Sequence, residues 1–482
     1  MFIPPIDVLM MFVLTTPFIG WIENKLRQKM LSGTYAAAGF ILSGFTLYQI
    51  SSQALLNPLF IPIQAGVFDA CLRVDGLSVF MMAIFVAMGF LITVYSLKYM
   101  DRDTGLSLYY TLLLAMITGM LGVVSAGDFF TLFVFWELMC ISSYALVAFR
   151  KRLWEPVEAA FKYLVISSAG NATILYGMSI LYGLTGTLNF ARLSVIMRSV
   201  TADVWGYVGL AFILIGFGVE ASIFPLHMWL PDAHPAAPSS ISALLSGIVI
   251  KAGAYGIIRT LFTVFPPQVF SWRIILALFA ALTMTYGNLT ALLQKDIKRL
   301  LAYSSIAQMG YVLFAVSTAT EYGLTAGLMH IMNHALMKGL LFLCAGAFIY
   351  RAGTRNLDGL KGIGHKMPLT AVPFMIAALS ISGVPPLNGF VSEFMIVYAG
   401  VNAGMLVFTI ITLINIVLGF VYYLRLIKII VWSTPSEDLK KVKESPILML
   451  VPMMLMTLLC IVIGLYPAPF IEAANKAAQA VI

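Results

Sequence analysis

Eight ionisable residues stand inside long apolar runs of this sequence, and their types suit proton or cation exchange. A charged side chain is costly inside a lipid-embedded helix, so each of them is a candidate functional residue. Eight such groups on six helices are also too many for accidents of packing. They are three carboxylates, three lysines and two histidines: Glu137, Glu220, Glu393, Lys162, Lys251, Lys338, His330 and His334.

Three of these residues recur at every fourth position of one predicted helix. His330, His334 and Lys338 therefore share one face of that helix. Since histidine titrates near neutral pH, this stripe predicts a hydrated row of proton-exchanging groups. A metal site would need more ligands, and no Cys or carboxylate falls at helical spacing beside the stripe. For one of the two histidines, a hydrogen-bonded core residue is the alternative interpretation.

The remaining candidates differ in how strongly their positions point to ion transfer. Lys251 lies about three turns from either end of its predicted helix, where a buried lysine can release and regain a proton. Glu137 is predicted to carry a proton, the alternative being a hydrogen bond that only joins two helices. Glu393 is a candidate exit gate or an interfacial glutamate. Lys162 stands near a helix start and could instead extend to the membrane surface.

The segment 218–235 combines a carboxylate with an interrupted backbone. Glu220 ends an apolar run, and Pro225, Pro231 and Pro235 follow it. Both features are tolerated at membrane depth only against protein or trapped water. The segment therefore indicates the working part of a membrane transporter.

The composition sets the class of protein. Of 482 residues, 61% are hydrophobic and 10% charged, where soluble proteins carry about 25% charged residues. The sequence predicts an all-α polytopic membrane protein whose net charge of +8 reflects topology, so nucleic-acid binding is excluded. The four cysteines are far apart, and no phosphate-binding loop or nucleophile–base set occurs, so no cofactor is expected in this chain.

Apolar runs of roughly 20 residues, the length that crosses a bilayer, occur about 14 times. The first run has no cleavage site and is expected to be retained. The predicted spans are 5–22, 32–52, 77–98, 107–126, 129–149, 156–184, 205–224, 239–264, 271–294, 297–318, 322–350, 367–400 (broken), 403–430 and 446–467.

Basic residues divide unequally between the two sides that these spans define. With the N-terminus outside, 20 fall on the inner side and 6 on the outer side, which is a strong positive-inside bias. Both termini are therefore expected outside. The inner set is Lys25, Arg27, Lys29, Lys98, Arg102, Arg150, Lys151, Arg152, Lys295, Lys298, Arg299, Arg351, Arg355, Lys361, Lys366, Arg425, Lys428, Lys440, Lys441 and Lys443, and the outer set is Arg73, Arg192, Arg198, Arg259, Arg273 and Lys476.

Helices four to eight and nine to thirteen form two blocks of five. A block with an odd number of spans must lie inverted when it is repeated, so an inverted repeat is predicted. Each block has a broken fourth helix, at 224–226 and at 383–389, making helices 7 and 12 discontinuous. The expected divisions are 1–106 with three N-terminal helices, 107–265 and 270–430 with the two repeats, and 431–482 with a cytoplasmic loop and helix 14. The segment 55–75 could form an outer hairpin or lie along the interface.

Several motifs resemble the antiporter-like subunits shared by respiratory complex I, the Mrp cation/proton antiporters and membrane-bound [NiFe] hydrogenases. Within that family, 234–239, 333–339 and 353–355 look most like the energy-converting hydrogenase and sulfane reductase branch. The motifs that carry the family resemblance are Trp136-Glu137-Leu138, the runs 224–234, 246–251 and 298–305, and the run from Gly383 to Glu393.

The resemblance implies a subunit that moves protons or sodium ions, driven by a redox module, and that is not itself catalytic. Partner subunits would then be other antiporter-like and small membrane subunits and a peripheral module on the cytoplasmic side holding Ni–Fe and iron–sulfur centres. The expected location is a prokaryotic plasma membrane. A standalone Mrp-type antiporter, or an antiporter-like subunit of complex I, is the alternative; a non-transporting scaffold is disfavoured by the buried charges.

By the same resemblance, Glu137, Lys251, His330, His334 and Glu393 match the family's ion-transfer positions. One position departs, because Glu220 stands where the family usually has a lysine. Three alternatives remain open. The two carboxyl groups could share a proton, they could hold a sodium ion, or Lys162 or Lys251 could replace the missing lysine.

Overall fold

The computed structural model describes residues 4–26, 30–63, 70–199, 203–436, 439 and 441–482, and most of this part of the chain is helical. Its first half contains α1 (Pro5–Leu26), α2 (Leu31–Leu56), β1 (Leu59–Pro62), β2 (Cys71–Val74), α3 (Gly76–Tyr99), α4 (Leu106–Ser125), α5 (Phe129–Val147), α6 (Trp154–Thr185), α7 (Phe190–Ser199), α8 (Val204–Glu220) and α9 (Leu230–Ala236).

The second half begins with one continuous helix, Ser239–Val264, in which two π-helical turns interrupt the α-helix. Its parts are α10 (Ser239–Leu244), a π turn (Leu245–Val249), α11 (Ile250–Arg259) and a second π turn (Thr260–Val264). Then follow α12 (Arg273–Leu292), α13 (Ile297–Ser317), α14 (Glu321–Ala352), two short 3₁₀ turns (Leu357–Leu360, Ile363–His365), α15 (Pro368–Ser380), α16 (Asn388–Asn402), α17 (Leu406–Ile427) with a π turn (Lys428–Trp432), α18 (Ile447–Leu465) and α19 (Ala468–Gln479).

Eleven helices in the described part of the chain are long and apolar enough to cross a membrane. The other three predicted spans correspond to α2, to α8 and to the pair α15 and α16, which are not in that set. The protein is a multi-pass helical membrane protein, and the count of 14 spans stays a prediction.

Capping aspartates fix where several of these helices begin. Asp75 accepts a hydrogen bond from Ser78 N at the start of α3, and Asp128 accepts one from Thr131 N (2.7 Å) at the start of α5. Asp296 caps α13 in the same way. Such caps satisfy backbone N–H groups that have no partner inside the helix, so they set the register of the spans that follow.

A short two-stranded sheet departs from the all-α prediction. β1 and β2 pair antiparallel, and Gly127 N donates to Cys71 O (2.8 Å) at the end of α4. The hairpin alternative for the segment 55–75 is therefore the one observed, although 64–69 lie outside the described residues. Backbone pairing gives this non-helical segment the hydrogen bonds that a helix would otherwise supply.

Both predicted helix breaks are present. The chain leaves helical structure between Glu220, the last residue of α8, and Leu230, the first of α9, and again between α15 and α16. At the first break, Trp229 Nε1 donates to Val219 O (2.8 Å) and so satisfies a carbonyl near the end of α8. At the second, Gly389 N donates to Ser380 Oγ (3.1 Å). Protein groups thus replace the backbone hydrogen bonds lost at each break.

The continuous helix 239–264 and α13 form the centre of the molecule, since the most apolar 18-residue window of each is completely buried. α14 packs beside them, whereas α17 and α18 lie at the periphery. The central helices therefore hold Lys251 and the α14 stripe away from lipid.

Two basic residues that were counted toward the two sides of the membrane are in fact buried. Arg259 lies in the last turn of α11 and Lys298 in the first turn of α13, because each has polar partners in the interior. Three others of the inner set, Arg27, Lys29 and Lys440, lie outside the described residues.

Candidate functional site

Lys251 is completely buried in the continuous helix 239–264, which we call the central helix, just after its first π-helical turn. Its Nζ donates a hydrogen bond to the carbonyl oxygen of Ser246, one residue into that turn. The Ser246 hydroxyl in turn contacts the Ser305 hydroxyl of α13 at 2.5 Å. Within the described part of the chain Lys251 forms no ion pair. A backbone carbonyl, and not a carboxylate, therefore accepts the hydrogen bond from its amino group.

The two histidines of α14 stack face to face, with ring centroids 6.1 Å apart and nearly parallel planes. His330 Nε2 lies 2.7 Å from Gln308 Oε1, and Nδ1 lies 3.0 Å from Ser392 Oγ. Because an amide oxygen only accepts, Nε2 carries the hydrogen and Nδ1 accepts from the serine. Both ring nitrogens of His334 have no hydrogen-bond partner among the described residues. Such a buried imidazole can bind and release a proton.

Lys338 ends the α14 stripe in a pocket of hydroxyl groups. Its Nζ donates to Ser304 Oγ (2.7 Å) and to Tyr423 Oη (2.8 Å), and it also lies over the Tyr423 ring. The lysine is completely buried between α13 and α17. It interacts electrostatically with Lys251 and His334, so these three groups belong to one cluster.

Glu393 lies on α16, close to the second helix break. It is buried, and its Oε2 atom has no partner in the described part of the chain. Gly383, in the break, has a φ of 70° and directly faces Oε2. Gln308 contacts this carboxyl group as well as His330, so it is the link between the histidines and Glu393.

Glu137 lies on α5, half-buried in this single chain. Its Oε1 accepts a hydrogen bond from Asn171 Nδ2 of α6 at 2.7 Å, and Trp136 Nε1 donates to Asn171 Oδ1 at 2.9 Å. Asn171 is therefore held by Trp136 in the orientation that presents its amide hydrogens to Glu137.

Glu220 is 1% exposed at the end of α8. Tyr163 of α6 donates a hydrogen bond to Oε1, and Ser167 donates to Oε2 at 3.2 Å. Glu137 acts on Glu220 electrostatically. The two carboxyl groups are thus close enough to influence each other while each has its own neutral donors.

Lys162 lies apart from the buried groups, at the rim of a charged vestibule of about 260 Å³. Its side chain is 48% exposed and forms ion pairs with Glu158 (2.9 Å) and Asp232 (3.3 Å). This position agrees with the surface alternative for Lys162. The ionisable side chains that line the vestibule are Glu155, Glu158, Lys162, Asp232, Asp296, Arg299 and Arg355.

The structure therefore divides the eight candidates into three groups. Lys251, His334, His330 and Lys338 form a buried cluster that Gln308 extends to Glu393; we call it the central row. Glu137 of α5 and Glu220 of α8 form a carboxyl pair, and Lys162 belongs to the vestibule.

Two further buried groups belong near the central row. His234, on α9, stacks on Phe342 at 4.7 Å, and neither ring nitrogen has a partner among the described residues. Lys298 Nζ donates to Ala237 O (2.6 Å). His234 lies in the segment 218–235 that the sequence marked, but it was not among the eight candidates. Nothing in the charge pattern separated Lys298 from its neighbours on the inner side.

In the part of the chain that the structure describes, no group of three or more His, Cys, Asp or Glu residues is placed to hold a metal ion. In the central row, His330 instead contacts an amide and a hydroxyl group. The arrangement is that of a buried row of ionisable groups inside a membrane protein.

This combination of broken helices and a buried ionisable row defines a class of ion-transfer membrane subunits. The comparisons agree. The family described as "NADH:quinone oxidoreductase/Mrp antiporter, TM" matches residues 126–419, and "NADH-Ubiquinone oxidoreductase (complex I), chain 5 N-terminus" matches 60–110. The chain belongs to this family of antiporter-like membrane subunits, as the sequence motifs predicted.

Curated relatives match almost the whole chain. F(420)H(2) dehydrogenase subunit N of Methanosarcina mazei is 32% identical over 465 residues, covering 95% of this chain and 94% of the relative. NADH-quinone oxidoreductase subunit N of Desulforamulus reducens is 33% identical over 458 residues, covering 93% and 91%.

Solved structures share the fold over the full length. A chain of the membrane-bound sulfane sulfur reductase, an archaeal respiratory membrane complex, has a TM-score of 0.90 and 31% identity, covering 99% of this chain and 96% of that chain. A chain of the Mrp complex from Dietzia sp. has a TM-score of 0.89 at 22% identity, with 99% and 97% covered, a likeness of fold alone.

Proposed function

We propose that this protein is the ion-translocating subunit of a redox-driven membrane complex and that protons pass through its central row. The observation that supports this most directly is the completely buried cluster of Lys251, His334 and His330, which Gln308 extends to Glu393. Each member can bind and release a proton, and each lies away from lipid.

In this proposal, electron transfer in a partner module changes the conformation and hydration around Glu137. Charge then moves to Lys251 and along His334 and His330 to Glu393. The imidazoles pass a proton by binding it on one nitrogen and releasing another. Glu393 lies beside a helix break, where non-helical backbone can line water, which suits a residue that releases the ion.

The finer architecture belongs to the same proposal. It comprises 14 spans, two inverted five-helix repeats at 107–265 and 270–430, an N-terminal part at 1–106 and a C-terminal part at 431–482. Both termini lie outside a prokaryotic plasma membrane. The excess of basic residues on the proposed inner side supports this orientation.

A redox partner module is favoured over a standalone antiporter. The matches at 31–33% identity are to subunits of an F(420)H(2) dehydrogenase, an NADH-quinone oxidoreductase and a sulfane sulfur reductase complex, whereas the Mrp match is 22% identical. We propose other antiporter-like and small membrane subunits as neighbours, and a cytoplasmic module with iron–sulfur centres, with or without nickel–iron.

A first experiment is mass spectrometry and metal analysis of the complex purified through a tag on this subunit. Co-purified subunits with iron–sulfur centres support the redox-driven pump, and nickel assigns the module to the hydrogenase type. A complex of small membrane subunits without metal would instead identify a standalone cation/proton antiporter.

The second experiment tests the central row in the reconstituted complex. Lys251→Ala and Glu393→Gln should each reduce ion translocation per electron transferred to a small fraction of the wild-type value. Lys476→Ala, an exposed lysine of α19, is the matched control. Translocation near the wild-type value in both variants would rule out the central row.

A further inference from the structure

An inclined row of side chains on α6 joins the vestibule to the carboxyl pair. Five residues recur at every fourth position and so follow one row that turns by about 40° per step around this helix, which we call the α6 stripe. Two of them line the vestibule, and the other three are buried and donate hydrogen bonds to Glu220 or Glu137. In order from the vestibule inwards, the stripe is Glu155, Ala159, Tyr163, Ser167 and Asn171.

Glu220 receives hydrogen bonds from neutral hydroxyl groups alone in the described part of the chain, those of Tyr163 and Ser167. Neither lysine that could have replaced the family's lysine contacts it. Lys162 pairs with Glu158 and Asp232, and Lys251 donates to Ser246 O. The titratable groups of α5 and α6 around Glu220 are Glu137, Cys140, Tyr144 and Tyr163.

A buried carboxylate without a cationic partner is costly, whereas a protonated carboxyl group flanked by hydroxyls is not. The surroundings of Glu220 therefore suit a group that takes up a proton and later releases it. At Oε1 a cation would compete with the Tyr163 hydroxyl for the carboxylate oxygen.

Tyr163 is held rigidly between the vestibule and Glu220. Its ring stacks on Trp229 with centroids 3.8 Å apart and planes 6° apart. Trp229 is anchored through Nε1 to Val219 O and is followed two and three residues later by Pro231 and Asp232, which line the vestibule. The phenol is therefore the group that separates the vestibule from the carboxyl pair.

We propose that the α6 stripe is a proton-uptake line that loads Glu220 from the vestibule, separately from the central row. Tyr163 passes its hydroxyl proton to Glu220 Oε1 and takes one from a hydronium ion on the vestibule side, which becomes water, so the phenol is neutral before and after the step. Ser167 holds the other carboxyl oxygen, and Asn171 continues the line to Glu137. This inference rests on the proposed ion translocation.

The direct test is infrared difference spectroscopy of the purified complex as the pH is changed. A carbonyl band of a protonated carboxyl group should be present in the wild type and absent in Glu220→Gln. Tyr163→Phe should shift that band to higher wavenumber, because it removes a hydrogen bond to the carboxyl group. Tyr176→Phe is the matched control, since Tyr176 lies on the exposed side of the same helix.

Translocation in proteoliposomes supplies the second readout. Tyr163→Phe and Ser167→Ala should lower ion translocation per electron and alter its pH profile, whereas Tyr176→Phe and Ser168→Ala, on the exposed side of α6, should not. If Tyr163→Phe and Ser167→Ala match these controls while Lys251→Ala is inactive, the uptake line is wrong and the central row stands. A carboxyl band that sodium removes at constant pH would also overturn the proposal, in favour of a sodium site.

Discussion

Arg259 and Asp75 form a buried ion pair with two contacts, from Nη1 to Oδ2 at 2.7 Å and from Nη2 to Oδ1 at 2.8 Å. Both side chains are 1% exposed. Arg259 Nε also donates to Tyr255 Oη, which donates to Val124 O at 2.9 Å. The pair, with Tyr255, thus ties the C-terminal part of the central helix to the start of α3 and the end of α4, and so holds the helix that carries Lys251.

Removing one partner of this pair should destabilise the protein strongly. Arg259→Met leaves Asp75 buried with Arg73 as its remaining basic neighbour (3.1 Å), so the free energy of unfolding should fall by about 3–5 kcal/mol. Thermal unfolding of the purified complex measures this loss. Arg273→Met, at a half-buried site, is the control, and the double variant Arg259→Met/Asp75→Asn should lose less than the sum of the single variants. Additive losses would contradict the pairing.

The pH dependence of this contribution follows from the position of Asp75, which caps α3 outside the span. Burial raises the pKa of its carboxyl group, but Arg259 and Arg73 lower it further, to about 2 from an ordinary value of 3.8. A carboxyl group with a lowered pKa stabilises the folded state. This stabilisation is complete at pH values above the ordinary pKa and is lost as the pH falls through the lowered pKa. The difference in melting temperature between wild type and Asp75→Asn should therefore be constant from about pH 8 to pH 5. A difference that shrinks across this range would show that Asp75 is not held ionised.

A methyl group at Gly383 should disturb Glu393 specifically. Gly383 and Gly353 have φ values of 70° and 73°, so alanine costs each about 1–2 kcal/mol of backbone strain. A Cβ at Gly383 would overlap Glu393 Oε2, whereas one at Gly353 meets open space. We expect Gly383→Ala to reduce ion translocation well below that of Gly353→Ala at similar expression. Equal translocation in the two variants would exclude a role for the position of the Glu393 carboxyl group.

Substitution of Lys162 and of Lys251 should affect ion translocation very differently, although both lysines lie within helices. Lys162→Met breaks exposed ion pairs that water can replace, so ion translocation should stay near the wild-type value. Lys251→Met removes a buried proton-exchanging group and should abolish most of it. Proteoliposomes containing each variant complex measure both. A severe loss in Lys162→Met would assign that lysine to the ion path after all.

The sequence identified the fold class and the central row because both depend on strong local signals. Apolar runs of membrane length, prolines within them and isolated charges can each be recognised without knowing which helices touch. The fourfold spacing of His330, His334 and Lys338 likewise fixed their common face. Tyr163, Ser167 and Asn171 have the same spacing. Uncharged polar residues occur on many membrane helices for packing alone, so their spacing does not by itself indicate a functional site.

The partner of each charged side chain depends on contacts between helices that are distant in the chain. The sequence did not determine these partners. Arg259 was counted as an outer-side charge, yet Asp75, 184 residues away, draws it into the interior. Lys162 and Lys251 were both possible partners for Glu220. In the structure Lys162 instead forms ion pairs with Glu158 and Asp232, because α6 packs against α9.

What the sequence by itself determined is that this is a membrane protein with buried ionisable residues near broken helices, because the cost of charge and of unpaired backbone in lipid applies to every such chain. Only the tertiary structure decided that Glu220 sits among hydroxyl groups, that Gln308 links His330 to Glu393, and that α6 faces the vestibule with one end and the carboxyl pair with the other. Hydrogen bonds act over about 3 Å, so their pairing follows from the docking of whole helices.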